Sequence, residues 1–193
     1  MNTVVTAFLD RDGVINRKLP GGRFVCCWDE FEFLPRAQEA IRLLNTNGTR
    51  VILVTNQRGV SLGLYSEDDL RLLHRQMVLA LAKEGAKLDG IYYCPHADGT
   101  CSCRKPGIAL FQKAFRDFPD ATPGTSVIVG DSLSDMLAAQ RLGCHKVLVG
   151  VDDSIRLRAE IAGVEIDFFA ESLFAAVKSY IVPNSVKHSD FKL

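Results

Sequence analysis

Four short stretches of this chain place reactive side chains at spacings that suggest chemistry. In FLDRDG, residues 8–13, Asp10 and Asp12 stand two apart ahead of Gly13. One aspartate there would often be a helix cap or a turn residue. Two uncompensated carboxylates side by side are costly, and their oxygens suit Mg²⁺. In VTNQRG, residues 54–59, Thr55, Asn56 and Gln57 offer a hydroxyl and two amides to an anion, although an Asn-rich turn has the same composition. In RKP, residues 104–106, Lys105 either sets its charge on a phosphate or stays solvated at the surface. In VGDSLSD, residues 129–135, Asp131 and Asp135 read either as a helix cap or as metal ligation.

A fifth stretch, CPHADGTCSC, leads directly into the lysine. Cys94, His96, Cys101 and Cys103 form C-x-H-x4-C-x-C. Four soft ligands suit a closed tetrahedral Zn²⁺ site, and a closed site is structural, because catalytic zinc keeps a coordination position open. The bland alternative is a cluster of reduced thiols. With zinc, the loop 94–105 becomes a rigid arm that delivers Arg104 and Lys105.

The elements that must position these residues follow from hydrophobic patterning. Apolar runs at 3–9, 50–55, 88–94, 126–130 and 145–150 read as buried strands. Helices are expected over Pro35–Asn47, over Ser66–Gly85, from about Gly107, and over Leu133–Leu142. The Ser66 helix carries a cap and three acids in its first turn. Alternating strands and helices imply an α/β fold, a doubly wound parallel sheet with both faces covered. Such sheets bind ligands at the carboxyl ends of their strands, where Asp10, Thr55 and Asp131 fall. A length of 193 residues suggests one domain, 1–182, with a polar, loosely held tail over 183–193. Twenty-three basic residues against twenty-three acidic ones argue against a nucleic-acid partner. No apolar run approaches a membrane span, and the N-terminus lacks a signal-peptide pattern. A cytoplasmic, reducing compartment is the default, where clustered cysteines more often mean metal than disulfide.

In order, the DxDG, T-N, K-P and GDxxxD motifs resemble the haloacid dehalogenase superfamily of phosphatases, over residues 8 to about 150. The resemblance implies a small flap and zinc loop in place of a large cap domain. It implies a nucleophile, Asp10, that takes the phosphoryl group as an aspartyl-phosphate, and a general acid and base, Asp12. Thr55 and Lys105 would neutralise the phosphate. Mg²⁺ would take an Asp10 oxygen, the backbone carbonyl of Asp12, and Asp131, with Asp135 in support. Within the superfamily the zinc loop looks like that of two groups, the heptose 1,7-bisphosphate 7-phosphatases and the histidinol-phosphate phosphatases. FLDRDGVIN, VTNQRGVSLGLYS, DGIYYCPH, CxCRKP and VGDSLSD together resemble the heptose group more closely. The chain departs from that pattern in its short zinc loop and in K-P-G where the group often shows K-P-x-P-G.

That resemblance points to a small phosphorylated sugar on the route to nucleotide-activated heptose, handled by a monomer. Thr55, Asn56, Gln57, Arg58, Arg104 and Lys105 are the expected substrate contacts, with Arg104 on a second anionic group. Residues 16–34 read as a flap in which Gly21, Gly22, Arg23 and Phe24 meet the sugar, or equally as a surface hairpin. Cys26 and Cys27 read as ordinary flap thiols, His74 and His145 as structural, and Cys144 as a core residue. The rival enzyme is a histidinol-phosphate phosphatase. The rival from another class is a non-catalytic zinc-stapled binding module, against which the four intact motifs count.

Overall fold

The structure, a computed structural model, describes residues 3–150 and 153–185. Its centre is a six-stranded, fully parallel sheet in the order β3-β2-β1-β4-β5-β6. The strands are β1 (Thr6–Leu9), β2 (Arg50–Asn56), β3 (Gly90–Cys94), β4 (Ser126–Gly130), β5 (His145–Val149) and β6 (Phe168–Ala170). The helices are α1 (Ala37–Thr46), α2 (Glu67–Lys83), α3 (Ala109–Asp117), α4 (Leu133–Leu142), α5 (Asp153–Ile161) and α6 (Leu173–Ala176). No helix among the described residues is long and apolar enough to cross a membrane.

Strand alternation builds two cores. Ala7, Leu9, Val51, Leu53, Val127 and Val129 face one layer, with Ile41, Leu73 and Met77 among its helical members. Phe8, Ile52, Val54 and Ile128 face the other, against Phe111, Ala114, Ala138 and Ala139. With both sides covered, strands read as continuous apolar runs, which is why they were legible. The first strand is shorter than expected, beginning at Thr6, with only a single bridge from Val4 to Ser185 before it.

Three elements lie where patterning assigned none: α5, β6 and α6. Helix α6 runs on through a wider turn, Val177–Ile181, whose Val177 and Ile181 are fully buried. The chain also stays held past position 183. Val4 donates to the Asn184 carbonyl at 2.7 Å, and the Ser185 hydroxyl donates to the Ile181 carbonyl at 2.8 Å. The remainder of the expected tail, 186–193, lies outside the described residues.

The segment 16–34 is not a regular hairpin. Its neck is antiparallel, with Arg17 N–H donating to Glu32 at 2.8 Å and Leu34 N–H to Ile15 at 2.9 Å. Between them lie two single turns, Pro20–Gly22 and Trp28–Glu30. Val25 and Phe31 are buried in the core, and Trp28 stacks on Phe31 at 5.1 Å. Anchored there, the segment arches over the carboxyl edge of the sheet.

Candidate active site

Parallel register brings the motif residues together. Leu9 stands beside both Leu53 and Val129, so Asp10, Thr55 and Asp131 emerge from adjacent strands β1, β2 and β4. Asp10 N–H donates to the Val129 carbonyl at 3.0 Å, fixing the strand exit. Gly13 follows with φ +89°, and a Cβ there would lie 1.8 Å from Asp131 Oδ2. Only glycine lets this turn pass the carboxylate.

Lys105 is the buried cation of the site. Its Nζ lies 2.9 Å from Asp10 Oδ1 and 2.6 Å from Asp135 Oδ1, and donates to the Val54 carbonyl at 2.8 Å. Three acceptors match the three donors of an ammonium. Burial would depress its pKa, but Asp10 and Asp135 hold it well above the ordinary lysine value. Burial pushes Asp10 above the usual carboxylate range; Lys105 pulls down, and the Asp135 and Asp12 charges push further up.

Asp135 takes the capping role and also pairs with Lys105. Its Oδ2 caps α4 by accepting from the Ser132 N–H at 3.2 Å and the Ser132 hydroxyl at 2.5 Å, while Oδ1 faces Lys105. Asp131 is pushed up to about 7 by burial, against the pull of Lys18, whose Nζ lies 2.5 Å from Oδ2. One carboxylate oxygen each from Asp10, Asp131 and Asp135 lies within 4.8 Å of the others, and buried Asp131 Oδ1 has no hydrogen-bond partner. Crowded carboxylates with an orphaned oxygen fit a hard divalent cation.

Asp12 is held by a separate set of partners. Its Oδ1 accepts from Arg11 Nη2 at 3.0 Å and Asn16 Nδ2 at 2.9 Å; its Oδ2 accepts from Gln57 Nε2 at 2.9 Å. Burial would raise its pKa, but Arg11 and these bonds hold it below the ordinary carboxylate value. Arg11, 1% exposed, also reaches His74 Nε2 at 3.3 Å. Burial, with the Arg11 charge, holds His74 down to about 3, so its imidazole is neutral. His74 is thus a buried partner of Arg11, and His145 meets the Tyr180 hydroxyl at 3.1 Å.

A cavity of about 300 Å³ lies over these groups, lined by Asp10, Asp12, Lys105 and Asp131 below and by Arg23 and Phe24 of the flap above. Gly22, Asn56 and Arg104 also line it. Gly21, Thr55, Gln57 and Arg58 do not line it. Thr55 is buried and accepts at its hydroxyl from Gln57 at 2.9 Å. The Asn56 amide is engaged by the Lys105 backbone, donating at 3.1 Å and accepting at 3.0 Å, so it places the lysine's loop. Arg58 turns to Asp98 of the 94–105 loop at 3.2 Å, and Asp98 also pairs with Arg104. Patterning overlooked Lys18, Ser132 and Ser134, which line the cavity as well. Their only signal was proximity in sequence to the acidic motifs.

The four soft ligands converge. His96 Nδ1 and Cys103 Sγ are 3.2 Å apart, Cys103 and Cys94 sulfurs 3.1 Å, and Cys94 and Cys101 sulfurs 3.5 Å. All four ligand atoms lie within 4.8 Å of one another, the spread of a tetrahedral site. Burial would raise the Cys101 thiol, but the Arg104 N–H and the neighbouring thiols bring it down to about 6. Cys26 and Cys27 are free thiols, and Cys144 is buried in the second core.

Against known proteins, a HAD-hydrolase-like family model matches residues 102–176. A D-glycero-alpha-D-manno-heptose-1,7-bisphosphate 7-phosphatase of Mycobacterium tuberculosis is 42% identical over 149 residues, 74% of this chain and 78% of that protein. A D-glycero-beta-D-manno-heptose-1,7-bisphosphate 7-phosphatase of Haemophilus ducreyi is 40% identical over 162 residues, 79% of this chain and 87% of that one. The crystal structure of D,D-heptose 1,7-bisphosphate phosphatase from B. bronchiseptica, complexed with magnesium and phosphate, superposes with a TM-score of 0.79 at 34% identity, covering 92% of this chain and 97% of that chain. With the motif order, the sheet topology and these relatives in agreement, the chain belongs to the heptose-1,7-bisphosphate 7-phosphatase family of haloacid dehalogenase-like phosphoric monoester hydrolases.

Proposed function

We propose that this enzyme removes the 7-phosphate of D-glycero-D-manno-heptose 1,7-bisphosphate through an aspartyl-phosphate on Asp10. The observation that carries the reading is one cavity lined by several cationic side chains. Lys105 sits against the nucleophile, and Lys18, Arg23 and Arg104 line the same cavity. That arrangement suits a substrate with one reacting and one retained phosphate.

Asp10 Oδ1 accepts from the Arg11 N–H at 2.8 Å and from Lys105, which leaves Oδ2 to attack phosphorus. As the phosphorus–oxygen bond to carbon 7 breaks, the leaving alkoxide takes a proton from Asp12. Asp12 is held ionised at rest; an incoming phosphate dianion beside it raises its pKa by like-charge repulsion, so that it takes up a proton from solvent, passes it to the leaving oxygen, and returns it to solvent when the product phosphate departs. Asp12 then accepts a proton from the water that attacks the aspartyl-phosphate, releasing inorganic phosphate and restoring Asp10. Asp10, Asp131 and the Asp12 backbone carbonyl would hold Mg²⁺, which when bound neutralises charge on the phosphoryl oxygens. Lys18, paired with Asp131 and lining the cavity, would be at hand for a substrate phosphate. Six free cysteines support a cytoplasmic setting, in which the enzyme acts as a monomer on the route to nucleotide-activated heptose.

The test is kcat/KM on both anomers of the heptose bisphosphate and on histidinol phosphate. A preference for a bisphosphate of about 100-fold or more is expected; equal or better histidinol phosphate hydrolysis would overturn the assignment. Arg104→Ala is expected to lower kcat/KM for the bisphosphate by about 10- to 100-fold, the worth of a lost charge-assisted contact. A small monophosphate should be nearly unaffected. Equal losses on both would place Arg104 in the chemistry or the loop.

Cys94, His96, Cys101 and Cys103 hold a structural Zn²⁺ on this reading. Protein purified without added metal should carry about one zinc per chain. Metal binding is coupled to local folding, so stripping the zinc should lower the melting temperature by about 10 °C. An unchanged melting temperature in zinc-free protein would refute the structural role.

A further inference from the structure

Gln57 is 1% exposed and makes no contact with the cavity, yet its amide is fully engaged. Nε2 donates to Asp12 Oδ2 at 2.9 Å and to Thr55 Oγ1 at 2.9 Å; Oε1 accepts from the Tyr65 hydroxyl at 2.7 Å. Its backbone N–H donates to the Cys94 carbonyl at 2.8 Å, which ties it to the end of β3. We infer that Gln57 is a positioning residue that aims the Asp12 carboxyl at the leaving group, and that Tyr65 fixes which end of the Gln57 amide faces Asp12. The inference rests on the acid–base role of Asp12 proposed above.

Asp12 is gripped unequally. Oδ1 has the Arg11 guanidinium and the Asn16 amide, whereas Gln57 is the one side chain donating to Oδ2 among the described residues. Without Gln57 the carboxyl would be held at one oxygen and free to swing about it. General acid catalysis needs the proton within hydrogen-bond reach of the leaving oxygen, so a swinging carboxyl loses rate without losing its charge.

An amide offers donors at one end and an acceptor at the other, and reversing it would set Oε1 against an ionised carboxylate. In the observed orientation Tyr65 donates to Oε1, so the amide serves Asp12 and Tyr65 together. Burial pushes its hydroxyl up to about 12, which keeps the donor proton in place. The ring is seated in turn by Gly59, where a Cβ would lie 2.2 Å from Tyr65 Cε1. The run from Gln57 through Gly59 to Tyr65 thus forms a short support beneath Asp12, built from residues that do not line the cavity.

Leaving-group dependence separates positioning from mere packing. A sugar alkoxide needs a proton to depart, whereas p-nitrophenolate leaves without one. Because kcat/KM reports steps only through formation of the aspartyl-phosphate, it is blind to the later hydrolysis. In Gln57→Met, which keeps the shape and removes the donor, kcat/KM for the heptose bisphosphate should fall about 10- to 100-fold, within what a general acid contributes. For p-nitrophenyl phosphate it should fall less than about 3-fold. Equal losses on the two substrates overturn the proposal. Should Gln57→Met fail to fold, Gln57→Leu decides the same question, since it is close in size and cannot donate to Asp12. Tyr65→Phe should move the substrate ratio in the same direction by a smaller factor; an unchanged ratio removes Tyr65 from the arrangement. Asp12→Asn provides the reference. If it spares the bisphosphate, or lowers both substrates equally, the acid–base reading of Asp12 fails. If it is selective while both Gln57 variants are not, the positioning role alone fails.

Discussion

Asp10→Asn is expected to abolish phosphate release, by at least on the order of 10⁴-fold, while the protein stays folded. An amide keeps the shape of the carboxyl but is a far poorer nucleophile. The fold should survive because the site gains little from that charge. Burial already disfavours the ionised form of Asp10, and the Asp135 and Asp12 charges add to it. Lys105 retains Asp135 at 2.6 Å and the Val54 carbonyl at 2.8 Å. The melting temperature should therefore stay within a few degrees of wild type. Turnover near the wild-type rate in saturating Mg²⁺ would remove Asp10 from the nucleophile's role.

Lys105→Met should damage both stability and activity, and its activity loss should be indifferent to the rest of the substrate. Removing one partner of a buried ion pair leaves the other uncompensated, at a cost of about 3–5 kcal/mol. Here two carboxylates, Asp10 and Asp135, lose their shared cation. For a chain of this size the melting temperature should fall by roughly 10 °C. Added Mg²⁺ should recover part of that loss, since it competes for the same carboxylates. The sign with pH follows from Asp10. Its carboxyl already titrates above the usual range and would move higher without Lys105. A raised carboxylate pKa contributes stability that is fully present below the unfolded value and is lost as pH rises through the folded one. The gap from wild type should therefore be small near pH 4 and widen toward neutrality. In activity, the heptose bisphosphate and p-nitrophenyl phosphate should both lose about 10²- to 10³-fold, as for other groups that neutralise transition-state charge. Wild-type kcat/KM on either substrate would sink the assignment, as would a selective loss like that expected of Arg104→Ala.

Much of this was written in the sequence itself. Strands buried on both faces read as unbroken β-branched runs, so β1, β2, β4 and β5 were visible from composition alone. Helix α2 announced its start with Ser66 and Asp69, which do form reciprocal cap bonds. Helix α4 falls on the expected residues, Leu133–Leu142, with Gly143 ending it in the left-handed conformation. Asp10, Asp131, Lys105 and the Cys–His loop were visible because their chemistry is tied to local motifs at strand ends. What local pattern could not supply was β6, three residues long and partly exposed at the sheet's edge, or α6, four residues merging into a wider turn. Such elements exist because a neighbour pairs or buries them, and their own residues carry too little periodicity to declare it.

The same division runs through the site. Residue types marked Thr55, Asn56, Gln57 and Arg58 as ligands for an anion, since each carries donors at a strand end. Where those donors point depends on register and packing between distant segments. Parallel pairing of Asn56 with Cys94 turns the Asn56 amide onto the Lys105 backbone, and the seating of Tyr65 on Gly59 turns Gln57 toward Asp12. Asp98, set between two proposed zinc ligands, draws Arg58 out of the cavity. Sequence by itself determined which functional groups this protein possesses and in what order its strands deliver them. Tertiary structure decided which of those groups face the cavity and which hold the others in place, because a buried donor must find an acceptor, and only the folded chain brings one within reach.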